Sequence, residues 1–527
     1  MCALAIPAHS AVLIVSNAND SGPGSLRQAL AAANDGDTID ATGILGVITL
    51  TSGQLLVTKS VAINGAGADL LAVDGNATSR LFQVGSGKTV TISGLTIRNG
   101  HDDTTGGGID NQAGATLAIT NSTLGSNSAG SVGNPAVAGG GIFNNGTLTI
   151  VNSTFSANTA GGISGAGGGI FNGGTLTISN STFSGNTASK GGGVYHANAA
   201  STVTITNSTF SGNSALSYGG ACFNGGTMQI TNSTLSGNSA ITAGGILVFG
   251  PLQIGNTVLN SGDSGATIDS FGEVTVISLG NNLSSDDARG HLTGPGDQIN
   301  TDPVLGPLQD NGGPSFTHAL LPGSPAIDTG NPNTLARDQR YYLRNGSPDR
   351  GAFEFAGTLA PLSATSRKIH GATGAFDVDL PLSGNAGIEC RSGGSNGDYQ
   401  LIMTFATLVT LSGASVTSGV GNVSNTTVTG SQVTANLTDV ANAQRIELTL
   451  FGVNDGANTN NVSIPMGVLL GDVSGNGTVN ASDTGLAKSH IGEPIVQSNF
   501  RADTNASGDI NATDAALVKS RLGTSLP

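Results

Sequence analysis

The sequence predicts a mainly β protein: a right-handed parallel β-helix with N- and C-terminal caps, then an antiparallel β-sandwich and a small α domain. Three observations carry this. A short alternating motif recurs through the first half, its starts 22 to 31 residues apart. Glycine supplies 82 of 527 residues, only 10% of side chains are charged, and Trp is absent. Near the C-terminus, two acidic twelve-residue segments begin 31 residues apart.

Composition excludes several classes at once. Charge is too sparse for a coiled coil or a charged disordered chain. The formal net charge of −15 argues against nucleic acid and anionic lipid as partners. No run of 18 apolar residues occurs, so no transmembrane segment is expected. Cys2, Cys222 and Cys390 lie far apart and propose no disulfide framework.

Residues 1–10, MCALAIPAHS, read as a truncated signal peptide: an apolar stretch ends in small residues, without a basic start. Residues 11–59 supply an N-terminal strand and a cap helix. Leu26, Ala29, Leu30 and Ala33 fall at helical spacing behind Ser25, a good N-cap. A solenoid end exposes its core, and this helix covers it. Arg27 is expected on the solvated face.

Residues 60–300 hold the repeats, which start at Ser60, Thr89, Thr116, Thr147, Thr175, Thr202, Thr227, Pro251 and, degraded, Glu273. Each unit has short alternating β-branched runs and Gly-rich turns, enough for two or three strands. One unit cannot bury its apolar face, but a stack of them can. Leu148 and Ile150 should point inward, Thr147 and Thr149 outward, with Phe155 inward after a bend. Leu176, Ile178 and Phe183, then Val203, Ile205 and Phe210, are their equivalents. Asn121, Asn152, Asn180, Asn207, Asn232 and Asn256 each fall five residues after a unit's start. They are expected to form an amide ladder at a bend, which explains the NST triplets better than glycosylation does.

Here the chain resembles known families. GGGIF (Gly139–Phe143) with FSAN (Phe155–Asn158), and GGGIF (Gly167–Phe171) with FSGN (Phe183–Asn186), are similar to the repeats of chlamydial polymorphic outer-membrane proteins, which are β-helical surface adhesins. Ser16–Asp40 resembles the N-terminal segment of CSLREA-type bacterial surface proteins. In residues 301–356, Asp302–Gly330, Asp338–Arg340 and Asp349–Phe355 resemble the choice-of-anchor Q segment, although Arg350 stands at an apolar position of that pattern. The resemblance implies a cap closing the β-helix, with its acids and arginines paired. The alternative is a carbohydrate or cation site using Asp310, Asp328 and Asp338.

Parallel β-helices also host polysaccharide lyases and hydrolases, which need paired carboxylates or a base beside a carboxylate and metal. Between Thr104 and Asn260 the only charged side chains are Asp110 and Lys190, and the sole histidine is His196. His101-Asp102-Asp103 reads as a solvated loop. No catalytic residue is therefore assigned. The coils present Thr, Ser, Asn and Gly, which suits hydrogen bonding to a glycan or surface polymer and equally suits a spacer.

Residues 357–470 have longer alternating runs bounded by turns, as in Leu401–Leu411 and Arg445–Val453, and predict the β-sandwich. Cys390 should pack there as a small apolar side chain. In residues 471–527, the segments Asp472–Asp483 and Asp503–Asp514 follow the EF-hand loop pattern. Gly477 and Gly508 stand at position six. Oxygen side chains occupy positions 1, 3, 5, 9 and 12: Asp472, Ser474, Asn476, Asn480 and Asp483, then Asp503, Asn505, Ser507, Asn511 and Asp514. Thr478 and Asp509 would offer position-seven carbonyls, and Val479 and Ile510 would pair the two loops. Each loop is followed by one short helix. Two Ca²⁺ ions, held weakly by two carboxylates per loop, are expected. The duplicated loop-helix pattern resembles a type I dockerin, which implies a cohesin partner docking at Ala481-Ser482 and Ala512-Thr513. The expected protein is secreted or on a bacterial surface, non-catalytic, and attached by this tail. The alternative is a polysaccharide lyase or glycoside hydrolase delivered by it.

Overall fold

One coil, running from Ile142 to Ala160, shows how the repeat folds. Strands Ile142–Asn144, Thr147–Val151, Thr154–Ser156 and Thr159–Ala160 each pair in parallel with the same strand one coil on. The computed structural model describes residues 10–130 and 137–527, so the signal-peptide expectation falls, apart from Ser10, outside the described residues. Within them the coils build parallel sheets of 11, 10 and 9 strands, which is the predicted solenoid.

The register is the expected one. Leu148 lies opposite Leu117 and Leu176, and Ile150 opposite Ile119 and Ile178. All are fully buried, while Thr147 is exposed. Phe155, Phe183 and Phe210 stack inside at centroid distances of 4.6 and 4.7 Å. The GGG triplets mark a tight corner. Gly139, Gly167 and Gly191 have φ of +69°, +71° and +62°, the left-handed region glycine enters without penalty. A Cβ on Gly140 would sit 2.5 Å from the carbonyl oxygens of Gly168 and Thr159. Only glycine allows neighbouring coils that close.

The asparagine ladder exists, but at another position. Asn127, Asn158, Asn186, Asn213 and Asn238 are buried, and each Nδ2 donates to the next Oδ1 at 2.8–3.0 Å. Each Oδ1 also accepts the preceding asparagine's main-chain N–H. The six asparagines expected to form the ladder instead hold left-handed bends, with φ between 47° and 54°. Asparagine tolerates that region because its short amide bonds locally. Only Asn152 to Asn121 and Asn256 to Asn232 remain amide pairs in that column.

Residues 301–356 explain the difference. They do not close the end of the solenoid; they run back along its bend column. Arg350 Nη1 donates to Asn282 O, Asn256 Nδ2 to Asp349 O, Asn207 Nδ2 to Arg337 O and Tyr341 Oη to Asn152 Oδ1. The bend amides thus bond a strap. Its acids and arginines pair as expected, Arg340 with Asp338 at 2.6 Å and Arg344 with Glu354 at 3.1 Å. The C-terminal end of the core is completed by Ala288 and Leu292.

Three smaller corrections concern the ends and one loop. Helix α1 (Leu26–Ala32) has Ser25 as N-cap and buries Leu26, Ala29 and Leu30, as expected. Arg27, however, is tied to Asp20 at 2.7 Å and to the carbonyls of Gly53 and Gln54, because it stitches the helix to the first coil. The last unit pairs Leu252 with Val276 rather than Val274, two residues beyond the alignment from Glu273. His101 and Asp102 lie in a short strand, not a free loop.

In the second unit, residues 358–527, five strands form an antiparallel sheet and four a second sheet. Their buried alternate residues, among them Leu401, Met403, Leu448 and Ile464, supply a core. Cys390 is buried as expected, and burial raises its thiol to about 11. Helices α2 (Ala481–Ser489) and α3 (Ala512–Ser520) pack together. A single apolar cluster joins Phe376, Val378 and Ile388 of the sandwich to Val479, Phe500, Ile510 and Val518. The sandwich and the tail therefore share one core.

Candidate calcium loops and the solenoid face

The two acidic loops fold alike. In the first, Asp472 Oδ1 accepts the N–H groups of Gly475 and Asn476, and Oδ2 accepts that of Gly477 at 2.8 Å. The position-three amide, Ser474 N–H, donates to Asp483 Oδ1 at 2.9 Å. In the second, Ser507 and Gly508 donate to Asp503, and Asn505 N–H to Asp514 Oδ1 at 3.1 Å. The same position-three bond brings the first and last carboxylates of each loop together. All four carboxylates are fully buried.

The remaining predicted positions bond within their own loops or cap the helices that follow. Asn480 and Asn511 cap α2 and α3, their Oδ1 atoms accepting from Ser482 and Thr513. Asp483 and Asp514 complete the capping boxes by accepting from Asn480 and Asn511 N–H. Asn476 Oδ1 accepts from Thr478, and Asn505 Oδ1 from Ser507. Ser507 Oγ donates to Asp509 O. Val479 and Ile510 do not pair with each other. Val479 bonds Gly523 and Thr524, and Ile510 bonds Gly492, so each loop pairs with the residue beyond the other loop's helix.

The donor set fits a calcium ion. Burial raises the Asp514 carboxyl, and the neighbouring Asp503 charge pushes it further. A cation beside two such carboxylates, or a proton on one of them, relieves their repulsion. Among the described residues no cluster of three His, Cys, Asp or Glu forms a metal site. An ion here would take most of its oxygens from amides, hydroxyls and main-chain carbonyls, which hard Ca²⁺ accepts and softer metals do not favour.

A feature the sequence reading passed over lies beside the second loop. His370 is fully buried in the sandwich, with Nδ1 2.8 Å from Asp503 Oδ2. Arg391 approaches its Nε2 at 3.0 Å and pairs with Glu389 at 2.7 Å. Nothing in the loop pattern points to a histidine 133 residues upstream.

On the solenoid, the middle residues of four GGGIF-type strands, continued by two phenylalanines that directly follow the next two strands of the same sheet, form an aromatic column. Phe143, Phe171, Tyr195, Phe223, Phe249 and Phe271 stack at 4.5–5.4 Å. Each ring covers its neighbour's face, so the edges face outward. In register with Phe143, toward the N-terminal end, stand Asp110 and Gln83. Nearby, a cleft of ≈ 340 Å³ is lined by Gln54, Arg80, His101, Asp102 and Asp103. Arg80 binds Asp102 at 2.9 Å, Gln54 Oε1 and the carbonyls of Thr105 and Gly106. These bonds hold adjacent coils together and occupy every nitrogen of the guanidinium. In the strap, Asp338 is buried against Arg340, whereas Asp310 and Asp328 bond only turn amides or stand exposed. The three do not form a site.

Comparison with known proteins follows the same division. Residues 81–261 match the model of the right-handed β-helix region, and residues 470–523 that of the dockerin type I domain. No curated protein matches the chain. A solved structure of the PL6 family alginate lyase AlyGC is 15% identical, with a TM-score of 0.27 over 66% of this chain and 59% of that one. The chain thus spans less than two thirds of that structure's length. No helix among the described residues is long and apolar enough to cross a membrane. Dockerin type I domains bind calcium and dock onto cohesins, and in this chain the segment that matches their model follows a parallel β-solenoid.

Proposed function

We propose that the protein is a secreted, non-catalytic β-helix protein of a bacterial surface or extracellular assembly. Its solenoid presents a neutral face to an extended glycan or similar surface polymer. Its dockerin-type tail, with one Ca²⁺ in each loop, attaches it to a cohesin. The observation that carries the reading is the chemistry of the middle coils. From Thr104 to Asn260 only Asp110 and Lys190 are charged, so the outer surface offers hydroxyls, amides and ring edges but no acid–base pair. A neutral polymer rich in hydroxyls complements such a surface, and an ionic one does not. The exposed Ala481-Ser482 and Ala512-Thr513 are the residues offered to a cohesin. The resemblances to CSLREA-type and choice-of-anchor Q proteins support display outside the cell.

The test pairs a glycan array with a polysaccharide degradation assay on the whole chain. Binding to neutral glycans without cleavage is expected. Calorimetry should show two calcium sites with Kd of roughly 10⁻⁴–10⁻³ M, the range for extracellular loops.

A second reading, a polysaccharide lyase or hydrolase, has one observation behind it: the cleft holding Arg80, His101, Asp102 and Asp103. Cleavage abolished by Asp102→Asn or Asp103→Asn, in a chain that stays folded, would establish it over the first.

A further inference from the structure

The two calcium loops are not held in the same way, and the difference lies outside both. Asp472 is fixed by amides and a hydroxyl of its own loop. Asp503 accepts two loop amides and, in addition, a bond from His370 of the sandwich. The chemistry of the partners determines that histidine's state. Arg391 carries only donors, so His370 Nε2, 3.0 Å from Arg391 Nη1, must accept. The ring is then neutral with its proton on Nδ1, and Nδ1–H donates to Asp503.

Arg391 cannot drift. Glu389 takes its Nε and Nη2 at 2.8 and 2.7 Å, and the carbonyls of Phe376 and Ser366 accept from the remaining edges. Phe376 and Phe500 meet the His370 ring edge-on. The turn that follows also lies on the loop. Thr373 Oγ1 donates to Gly508 O, and a Cβ on Gly371 would come within 2.4 Å of Ser507 O. A glycine therefore lets the sandwich turn meet the main chain of the second loop directly.

We infer that the sandwich completes the second calcium site: His370, oriented by Arg391 and Glu389, is a positioning residue that aims the Asp503 carboxylate. Partners that orient a metal-binding carboxylate typically change metal affinity by about 10–100-fold when removed. Coupling of this kind is reciprocal, so calcium in the second loop also stabilises the sandwich. The inference rests on the proposal that both loops bind Ca²⁺.

The experiment titrates the whole chain with Ca²⁺ alone. Asp472→Asn and Asp503→Asn backgrounds isolate the second and first loops respectively. His370→Ala should weaken the second loop's site by about 10–100-fold and leave the first unchanged. His370→Asn, whose amide N–H can take the place of Nδ1–H, should restore most of the loss. Hydrogen exchange of the unsubstituted protein supplies a readout that needs no folding variant at His370. Strand Ser363–His370 should exchange more slowly on adding Ca²⁺, in the Asp472→Asn chain too but not in the Asp503→Asn chain. Calcium binding at both loops with no effect of His370→Ala, or with unchanged exchange in that strand, overturns the coupling alone. No binding at either loop at millimolar Ca²⁺ overturns the calcium reading itself.

Discussion

Between Asn127 and Asn238, five buried amides each pair with the next coil's copy of themselves, and no ion takes part. In the C-terminal unit the buried polar groups include ionisable ones: Glu389 on Arg391, Asp503 beside His370, and Asp514 against Asp503. An amide is donor and acceptor at once, so a column of amides satisfies itself at any length. A buried ion needs a different partner, fixed at one place. The first arrangement can be extended by repeating a unit. The second is tied to one place in the fold and is sensitive to the charge of its members. That is the division expected of a spacer or display surface joined to a docking module.

Breaking the ionic side should cost most. Arg391→Met leaves Glu389 buried without its partner, and loss of one member of such a pair costs about 3–5 kcal/mol. Hydrogen exchange should show this throughout strand Gln444–Asn454 and not in Thr147–Val151. Within the coils, Asn186→Ala removes a ladder rung: the buried main-chain N–H and side-chain amide of Asn158 lose their acceptor and the Phe155 carbonyl loses a donor, at about 2–3 kcal/mol. Asn180→Ala, one coil position away at a left-handed bend, should cost about 1 kcal/mol or less, since only backbone preference is at stake. Denaturation midpoints of the two variants compare the two asparagine columns directly. Equal losses would contradict the assignment of the ladder.

These columns also show how far the sequence could be read. The register of Leu148 and Ile150 was legible because eight copies set the same apolar positions in line, whereas the degraded ninth, from Glu273, is offset by two residues. Both asparagine columns were visible too, the inner one as the N of FSAN and FSGN. Spacing alone does not say which column faces the core. The strap decides it, and its bonds join residues such as Asn152 and Tyr341, which lie 189 positions apart and carry no common pattern. The two acidic loop-helix segments were legible for the same reason as the coils, since two copies share a spacing. His370 was not, because it occurs once and in another module.

Acid should separate the two regions next. Burial pushes the Glu389 carboxyl up, but its bonds and charge contact with Arg391 and its bond from Ser366 prevail and hold it below the ordinary value. A depressed carboxylate contributes stability above the unfolded pKa of about 4.3 and loses it as pH falls through the folded value. The C-terminal unit should therefore weaken below about pH 4, read as faster exchange in Gln444–Asn454. Glu389→Gln should flatten that slope.

The smallest effect tests whether the coils are neutral by design of the repeat or only by composition. A second amide column runs from Asn111 through Asn144 to Asn172 at 2.7 and 2.6 Å, and then meets His196 where the next asparagine would stand. Asn172 turns its amide to Gly174 O instead, while His196 bonds Ser201 Oγ at 2.7 Å and Asn224 Oδ1 at 3.2 Å. Burial lowers its pKa, against a smaller upward pull from Asn224. The folded protein thus keeps His196 neutral at pH values where the unfolded chain, near 6.5, has begun to protonate. Stability around this coil falls as pH drops below about 6.5. His196→Asn should remove that slope, read as exchange of Ile170–Asn172 and Cys222–Asn224 at pH 7 and pH 5, because it places an amide where the column is interrupted. If the slope survives the substitution, His196 is not its source, and the coils carry a titrating group that the amide columns do not account for.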